Sequence, residues 1–376
     1  MPLVTTADDG SVKSVKLPRP SNPHGHVRDG ALREAVTPWV LANTKHLIVM
    51  PNVDPPLKTV EASLTYLGEV ERIRDRLGLG TNVLGTLYNH DGITPKMIEQ
   101  MAATKRIVSV KCYPAKAGMT TGSGQGIPLE QTSDDVLRAA IDNNIVYQVH
   151  GEVDTMKDGT PLEPAMRERY YMTDVLPYVR DAHPDLRISV EHGTTVQAVR
   201  LVDGDPSGKT VMTITPQHLL FVDDDFMQPW GNDLKCMPIL KWPTDRAALI
   251  KAATSGDRRF FAGTDTAPHP SRKKRGDFQL AANGCWLPHW ISLYTQAFHA
   301  AGKLDSVFDD FMSYSFADWM GLPRPEPDDT VLVTCDTAHD IPAPINIEGE
   351  DDVVIPLGWT ETGNRLRVGF SVRADF

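Results

Sequence analysis

No apolar run in the sequence approaches the ~18 to 20 residues that a membrane-spanning helix requires, so a helical membrane protein is excluded. Cysteine is scarce: Cys112, Cys236, Cys285 and Cys335 are scattered singly, with no CxxC pair. That excludes a disulfide framework and a zinc ribbon and reads as four reduced bystander thiols. Positive charge is also short. Against 49 Asp and Glu stand 38 Lys and Arg, a net charge of −11, and such a surface repels phosphate backbones, which argues against a nucleic-acid partner. The opening MPLVTTADDGSVKSV has neither the basic start nor the apolar stretch of a secretory leader, so a cytoplasmic protein is expected. Internal repeats and low-complexity tracts are missing too.

What is present is ordinary globular composition, 41% hydrophobic and 23% charged, in a chain of 376 residues. That length exceeds the ~100 to 200 of a common domain and leaves two domains or one large α/β barrel. Eight short β-rich segments end abruptly in polar residues: SVKLPRPSNPHGH, HLIVMPN, NVLGTLYNH, IVSVKCYP, IVYQVHGE, RISVEHGT, VMTITPQH and RRFFAGTDTAPH. Helical spacing fills most of the gaps, as in Val60, Leu64, Leu67, Val70 and Leu77, or in Val136 to Ile141 behind Ser133 as N-cap; Thr94-Pro95 reads as another helix start. Alternating strands and crossover helices predict a (β/α)8 TIM barrel over residues 1–322. Beyond PRPEPDD, the short runs TVLVT, VVIPLGW and LRVGFSV predict a small β-rich C-terminal extension, 323–376.

Several of the twelve histidines fall at strand ends. His24-Gly25-His26 puts two imidazoles two residues apart, where strand alternation points both one way. Alone, HxH is weak, since two polar loop histidines would look the same. His150 and His192 each close an apolar strand, however, and Asp265 closes the last one. In a barrel these ends converge, and several buried polar groups at one mouth argue for a shared cation rather than separate hydrogen-bonded core residues. Lys111 is the oddest member. At the end of an apolar strand an ammonium loses hydration, so its pKa should fall and a neutral amine becomes available to capture carbon dioxide; a snorkelling lysine is the plain alternative. Arg28, two residues past HxH, shares its facing and can give a bidentate bond to a carboxylate.

The motifs HGHVRDG, MPNVDPP, VKCYPA, VHGE, EHGTT, TITPQHL and GTDTAPHP, in this order, resemble the amidohydrolase superfamily, and within it the single-function, PyrC-like dihydroorotases, from about Pro20 to about Leu322. The resemblance implies two zinc ions bridged by a hydroxide and by Lys111 carbamylated to N6-carboxylysine. It implies His24, His26 and Asp265 as ligands of one zinc and His150 and His192 as ligands of the other. Arg28, Asn52 and His269 would clamp a substrate carboxylate, the loop Met119 to Pro128 would be a lid with Thr120 and Thr121 touching substrate, and Asn283 with its neighbours would hold a pyrimidine ring. The implied reaction is the reversible cyclisation of N-carbamoyl-L-aspartate to L-dihydroorotate in pyrimidine synthesis, with hydroxide attacking the ring amide carbonyl and Asp265 as proton shuttle. A homodimer is implied as well.

Two departures from the family pattern stand out. Gly25 replaces the usual Leu or Val between the histidines, which is expected to loosen that strand end, and the lid is about two residues longer than the pattern. The run Ser271 to Gly276 (SRKKRG) reads as a solvated loop, and His90 and His218 as structural. Hydantoinase- or allantoinase-like ring opening and a non-catalytic scaffold are the alternatives. The first leaves Arg28 facing a neutral substrate, and the second ignores that every ligand position is filled.

Overall fold

The computed structural model describes residues 3–120, 122–335, 341–360, 366 and 368–373. Three strand groups are present among them. Strands β1 (Leu3–Thr6) and β2 (Val12–Pro18) precede the eight barrel strands: β3 (Asn22–Gly25), β4 (His46–Val49), β5 (Asn82–Tyr88), β6 (Ile107–Cys112), β7 (Val146–His150), β8 (Ile188–Glu191), β9 (Thr210–Ile214) and β10 (Phe260–Ala262). All eight expected strand segments contribute one barrel strand each, and every neighbouring pair from β3 to β10 is parallel. A bridge between Gly25 and Thr266, with His26 N–H donating to Thr266 O at 3.0 Å, joins the two ends of the sheet.

The expected helices form where their signals lie. Thr59 and Thr94 accept from the backbone N–H three residues on, starting Val60–Arg76 and Pro95–Thr104. Ser133 precedes Asp134–Asp142 as N-cap, without a side-chain cap bond. Period-two alternation then sorts the strands. Leu47 and Val49 pack outwards with the helices, while Ile48 points inwards to a small plug with Leu84, Val211, Phe261 and Phe316. Each such buried side chain stabilises the fold by roughly 1.5 to 3 kcal/mol.

Above this apolar plug the inward layer turns polar. Val110 and Cys112 pack outwards, placing Lys111 inside; Tyr147 and Val149 do the same for Gln148 and His150, and Ile188 and Val190 for Ser189 and Glu191.

The segment SVKLPRPSNPHGH divides in two, which corrects its reading as a single strand. Val12–Pro18 belongs to an outer antiparallel sheet ordered β1-β2-β11-β14, where β11 is Thr330–Cys335 and β14 is Phe370–Val372, and only Asn22–Gly25 enters the barrel. The cause is Pro18, Pro20 and Pro23, which interrupt the hydrogen-bond ladder. Residues near both ends of the chain thus share the outer sheet, Thr330 pairing with Pro18. The remaining short pair is β12 (Ile345–Asn346) with β13 (Val353–Val354).

The register of β3 against β4 shifts between Asn22 and Gly25, yet no gap is left where the Gly25 side chain would be. Leu47 and Val40 fill the space beside it, and a Cβ there would lie 2.8 Å from Leu47 Cδ1. The run SRKKRG is solvated at Arg272, Lys273 and Gly276 but is not simply a loop. Ser271–Lys274 is a short helix, Arg272 pairs with Glu350 and Asp352, and Arg275 pairs with Asp233. Lys274 is buried and donates to the carbonyls of Lys235 and Ala282, which brace the loop bearing Asn283.

Candidate metal centre and active site

The strand ends meet in a narrow cavity of about 30 Å³ whose wall includes His24, His26, His150, His192, Asp265 and Arg28. One Asp265 oxygen, Oδ1, lies 3.0 Å from His26 Nε2 and 3.3 Å from His24 Nε2. Ligand atoms of these three residues all fall within 4.8 Å of one another. Burial alone would raise the Asp265 pKa, but the His24 and His26 rings against it outweigh that and hold the carboxyl well below its usual range. Across the cavity His150 Nδ1 and His192 Nε2 face each other at 3.1 Å.

The outward nitrogens determine what the inward ones can do. His24 Nδ1 meets Glu191 Oε2 at 2.5 Å, His26 Nδ1 meets Asn52 Oδ1 at 2.7 Å, and His150 Nε2 meets Glu152 Oε2 at 2.7 Å. An oxygen acceptor keeps a proton on the outer nitrogen, so each ring, when neutral, turns a lone pair to the cavity; burial pushes the His24 pKa down, but Glu191 and Asp265 outweigh it and hold it above its ordinary value. Burial depresses the pKa of His26 to about 4, further helped by Arg28 and opposed by Asp265, which keeps that ring neutral.

Lys111 is fully buried, its Nζ has no hydrogen-bond partner among the described residues, and it sits 4.9 Å from the centroid of the Tyr113 ring. Burial pushes it down to about 8, with Glu191 and Asp265 opposing. Converging imidazole nitrogens and a carboxylate fit a divalent-metal centre, with a buried lysine of depressed pKa beside it.

Three site residues occupy the left-handed region: Arg28 at φ 59°, His192 at φ 43° and Asp265 at φ 46°. Alternation would send His192 away from the side used by Glu191, and this turn brings it back to the cavity. Such backbone costs on the order of 1 to 3 kcal/mol per residue and persists only where neighbours enforce it. Thr213 Oγ1 accepts from His192 N–H at 2.7 Å, and buried Glu168 accepts from the N–H groups of Thr194 and Thr195 just beyond. For Arg28, Tyr66 Oη donates to its carbonyl at 2.6 Å and its Nε donates to Pro268 O at 2.9 Å.

Arg28 is buried, and no carboxylate pairs with it among the described residues. Its Nη2 lies 3.1 Å from His269 Nε2, which is also 3.1 Å from Asn283 O, so that ring nitrogen either accepts from the guanidinium or donates to the carbonyl. His269 borders the mouth beside Arg28, and Asn283 lines the cavity. Asn52 lines it too, but its carbonyl is engaged with His26.

The loop after β6 is seated over this mouth. Gly122, at φ 89°, approaches Asn52 so closely that a Cβ would lie 2.6 Å from Asn52 Cβ. Tyr88 Oη donates to Gly122 O, and Asn283 Nδ2 donates to Met119 O at 3.5 Å. Thr120 lines the cavity, with a buried Oγ1 that has no partner among the described residues. Thr121 lies outside the described residues.

His90 and His218 are hydrogen-bonded at both nitrogens to groups outside the cavity, including Lys58 O and Pro238 O. Glu191, Glu152, Gln148 and Tyr113 escaped the sequence reading. Strand alternation could have found Gln148 and Glu191, both polar and two residues before or one before a strand-ending histidine.

A parallel barrel with histidines, an aspartate and a buried lysine converging at the C-terminal ends of its strands defines the metal-dependent amidohydrolase class. No protein-family model matches the chain. Curated relatives include the dihydroorotase of Halorhodospira halophila, 39% identical over 352 residues, covering 92% of this chain and 96% of that one, and the dihydroorotase of Picosynechococcus, 36% identical over 317 residues, covering 83% and 88%. The chain belongs to the dihydroorotase family, hydrolases of a cyclic amide bond. Among solved structures, Saccharomyces cerevisiae dihydroorotase in complex with 5-fluoroorotic acid superposes with a TM-score of 0.84 at 27% identity, covering 96% of this chain and 99% of that one. The L-hydantoinase of Arthrobacter aurescens shares the fold, with a TM-score of 0.69 at 16% identity over 94% and 87% of the two chains.

Proposed function

We propose that this chain closes N-carbamoyl-L-aspartate to L-dihydroorotate with loss of water, and opens the ring in reverse, as a zinc-dependent dihydroorotase of pyrimidine synthesis. The observation that carries the reading is Arg28: a buried guanidinium without a carboxylate partner, on the same cavity wall as the histidine and aspartate cluster. Such a site fits a substrate with a cyclic amide for the metal centre and a carboxylate for the arginine.

In this reading His24, His26 and Asp265 would hold one zinc, His150 and His192 the other, and Lys111, carboxylated at Nζ, would be a ligand shared between them. When bound, the two ions supply a polarised carbonyl and a water acidic enough to attack near neutral pH. The protein's own groups do the rest. Arg28, with His269 beside it and Asn52 and Asn283 on the wall, binds and orients the carboxylate, so that the reacting carbonyl reaches Asp265. Asp265, kept ionised, takes the proton of the attacking water and returns it to the leaving ring nitrogen. Ring closure reverses this, with Asp265 removing a proton from the carbamoyl nitrogen. Thr120, on the loop over the mouth, and Thr121, its neighbour in sequence, would contact the substrate and exclude water.

The protein works as a cytoplasmic homodimer on this small molecule, with the catalytic barrel inside residues 1–322 and 323–376 as an extension whose strand β11 shares the outer sheet with Leu3–Thr6 and Val12–Pro18. No helix among the described residues is long and apolar enough to cross a membrane. The test is turnover of L-dihydroorotate by zinc-loaded wild type and Arg28→Ala, in parallel with a neutral hydantoin. Wild type should open dihydroorotate, and Arg28→Ala should raise its KM by about 100-fold, as expected for loss of a buried charge pair. A wild type that ignores dihydroorotate and opens the hydantoin overturns the substrate assignment, and activity on neither points to a scaffold.

A further inference from the structure

We propose that Glu191 is a positioning residue of the metal centre, a buried carboxylate that holds the His24 proton on Nδ1 and so delivers Nε2 to the cavity as a lone-pair donor. The inference rests on the metal-site reading above. Glu191 closes β8 on the inward face and is 1% exposed. Its Oε2 meets His24 Nδ1 at 2.5 Å and accepts from Thr213 Oγ1 at 3.2 Å, while Oε1 accepts from Ser189 Oγ at 2.5 Å and Gln148 Nε2 at 3.1 Å. An ionised carboxylate offers about four lone-pair directions, and all four are taken. The group therefore cannot swing away from His24 without breaking three other bonds, which come from β7, β8 and β9 while His24 itself lies on β3.

The identity of each donor is enforced one step further out. Gln148 Oε1 accepts from Ser109 Oγ at 2.6 Å, and its Nε2 also donates to Pro23 O at 3.0 Å. The amide is thus oriented with its nitrogen towards Glu191. A glutamine at 191 would have to present an amide nitrogen to at least one of these donors. His26 is held differently, by the neutral carbonyl of Asn52. A carboxylate partner makes an imidazole a stronger electron donor than a carbonyl partner does, so His24 becomes the stronger ligand of the two.

The experiment uses the zinc-loaded protein and follows zinc release to a chromogenic chelator. Metal content, apo-protein melting temperature and steady-state KM and kcat are measured alongside. Glu191→Gln should release zinc about 10- to 100-fold faster. Its kcat should fall while KM for dihydroorotate stays within about twofold, because the Arg28 clamp is untouched. Wild-type zinc release with wild-type kcat overturns the proposal. If Glu191→Gln does not fold, Ser189→Ala decides: losing one hydroxyl donor should speed release about threefold at an unchanged melting temperature, and wild-type release would overturn the idea. Zinc release needs no substrate, so failure of the dihydroorotase reading would show in turnover alone and failure of this one in release.

Discussion

The two sides of the cavity are built to different degrees of completion. On the side of His24, His26 and Asp265, ring nitrogens and carboxylate oxygens find partners in one another or in Glu191 and Asn52. On the side of Lys111, His150 and His192, three buried atoms have none among the described residues: Lys111 Nζ, His192 Nδ1 and Glu152 Oε1. Buried polar atoms without partners cost about 1 to 3 kcal/mol each. The difference teaches where the chain satisfies its own polar atoms: the first side is closed by side-chain partners, while the second keeps buried polar atoms that fit the metal site proposed above.

The largest effect should come from breaking the finished side. Asp265→Asn removes the proton carrier and should lower kcat by about 1000-fold or more, read as turnover of L-dihydroorotate by loss of ultraviolet absorbance. Next comes the unfinished side. Lys111→Met keeps the stem but cannot take up carbon dioxide; kcat should fall by about 100-fold or more, and elemental analysis should find less than the wild-type zinc.

A third test reads Lys111 directly. Its depressed pKa means the neutral amine increases about tenfold per pH unit up to about 8 and then levels off, instead of continuing to the ordinary lysine value. Carbamate formation releases a further proton, so in the metal-free protein at fixed dissolved carbon dioxide the ¹³C carbamate signal, far from saturation, should climb about 100-fold per pH unit below about 8 and about tenfold per unit above it, and a slope unbroken through pH 8 would contradict it. The smallest effect should be Gly25→Ala, where the new Cβ meets the flexible end of Leu47 at 2.8 Å. A loss of about 1 to 2 kcal/mol by denaturant titration is expected, with zinc content unchanged.

Much of the finished side was legible in the sequence, because its residues end apolar strands and a barrel brings strand ends together. Lys111 was legible for the same reason, as a charge where burial is costly. Glu191 and Glu152 were harder to find, since a glutamate beside a histidine is commonplace in sequence and gains meaning only when Gln148, Thr213 and Ser189 close around it. The division of the first strand was hidden as well. Proline spacing marks a break in a ladder, but not which sheet each half will join, and the partner of Val12–Pro18 lies near the far end of the chain. The basic run after His269 misled because ion partners such as Asp233, Glu350 and Asp352 are distant in sequence.

The outer sheet has a consequence in time. Strand β2 lies just ahead of the strand bearing His24 in sequence, yet its partner β11 comes only after the whole barrel, Pro18 pairing with Thr330. Contacts that span so long a loop close slowly. The seam between β2 and β11 is therefore expected to fasten late, after the barrel strands it encloses in sequence have had time to pair with their neighbours.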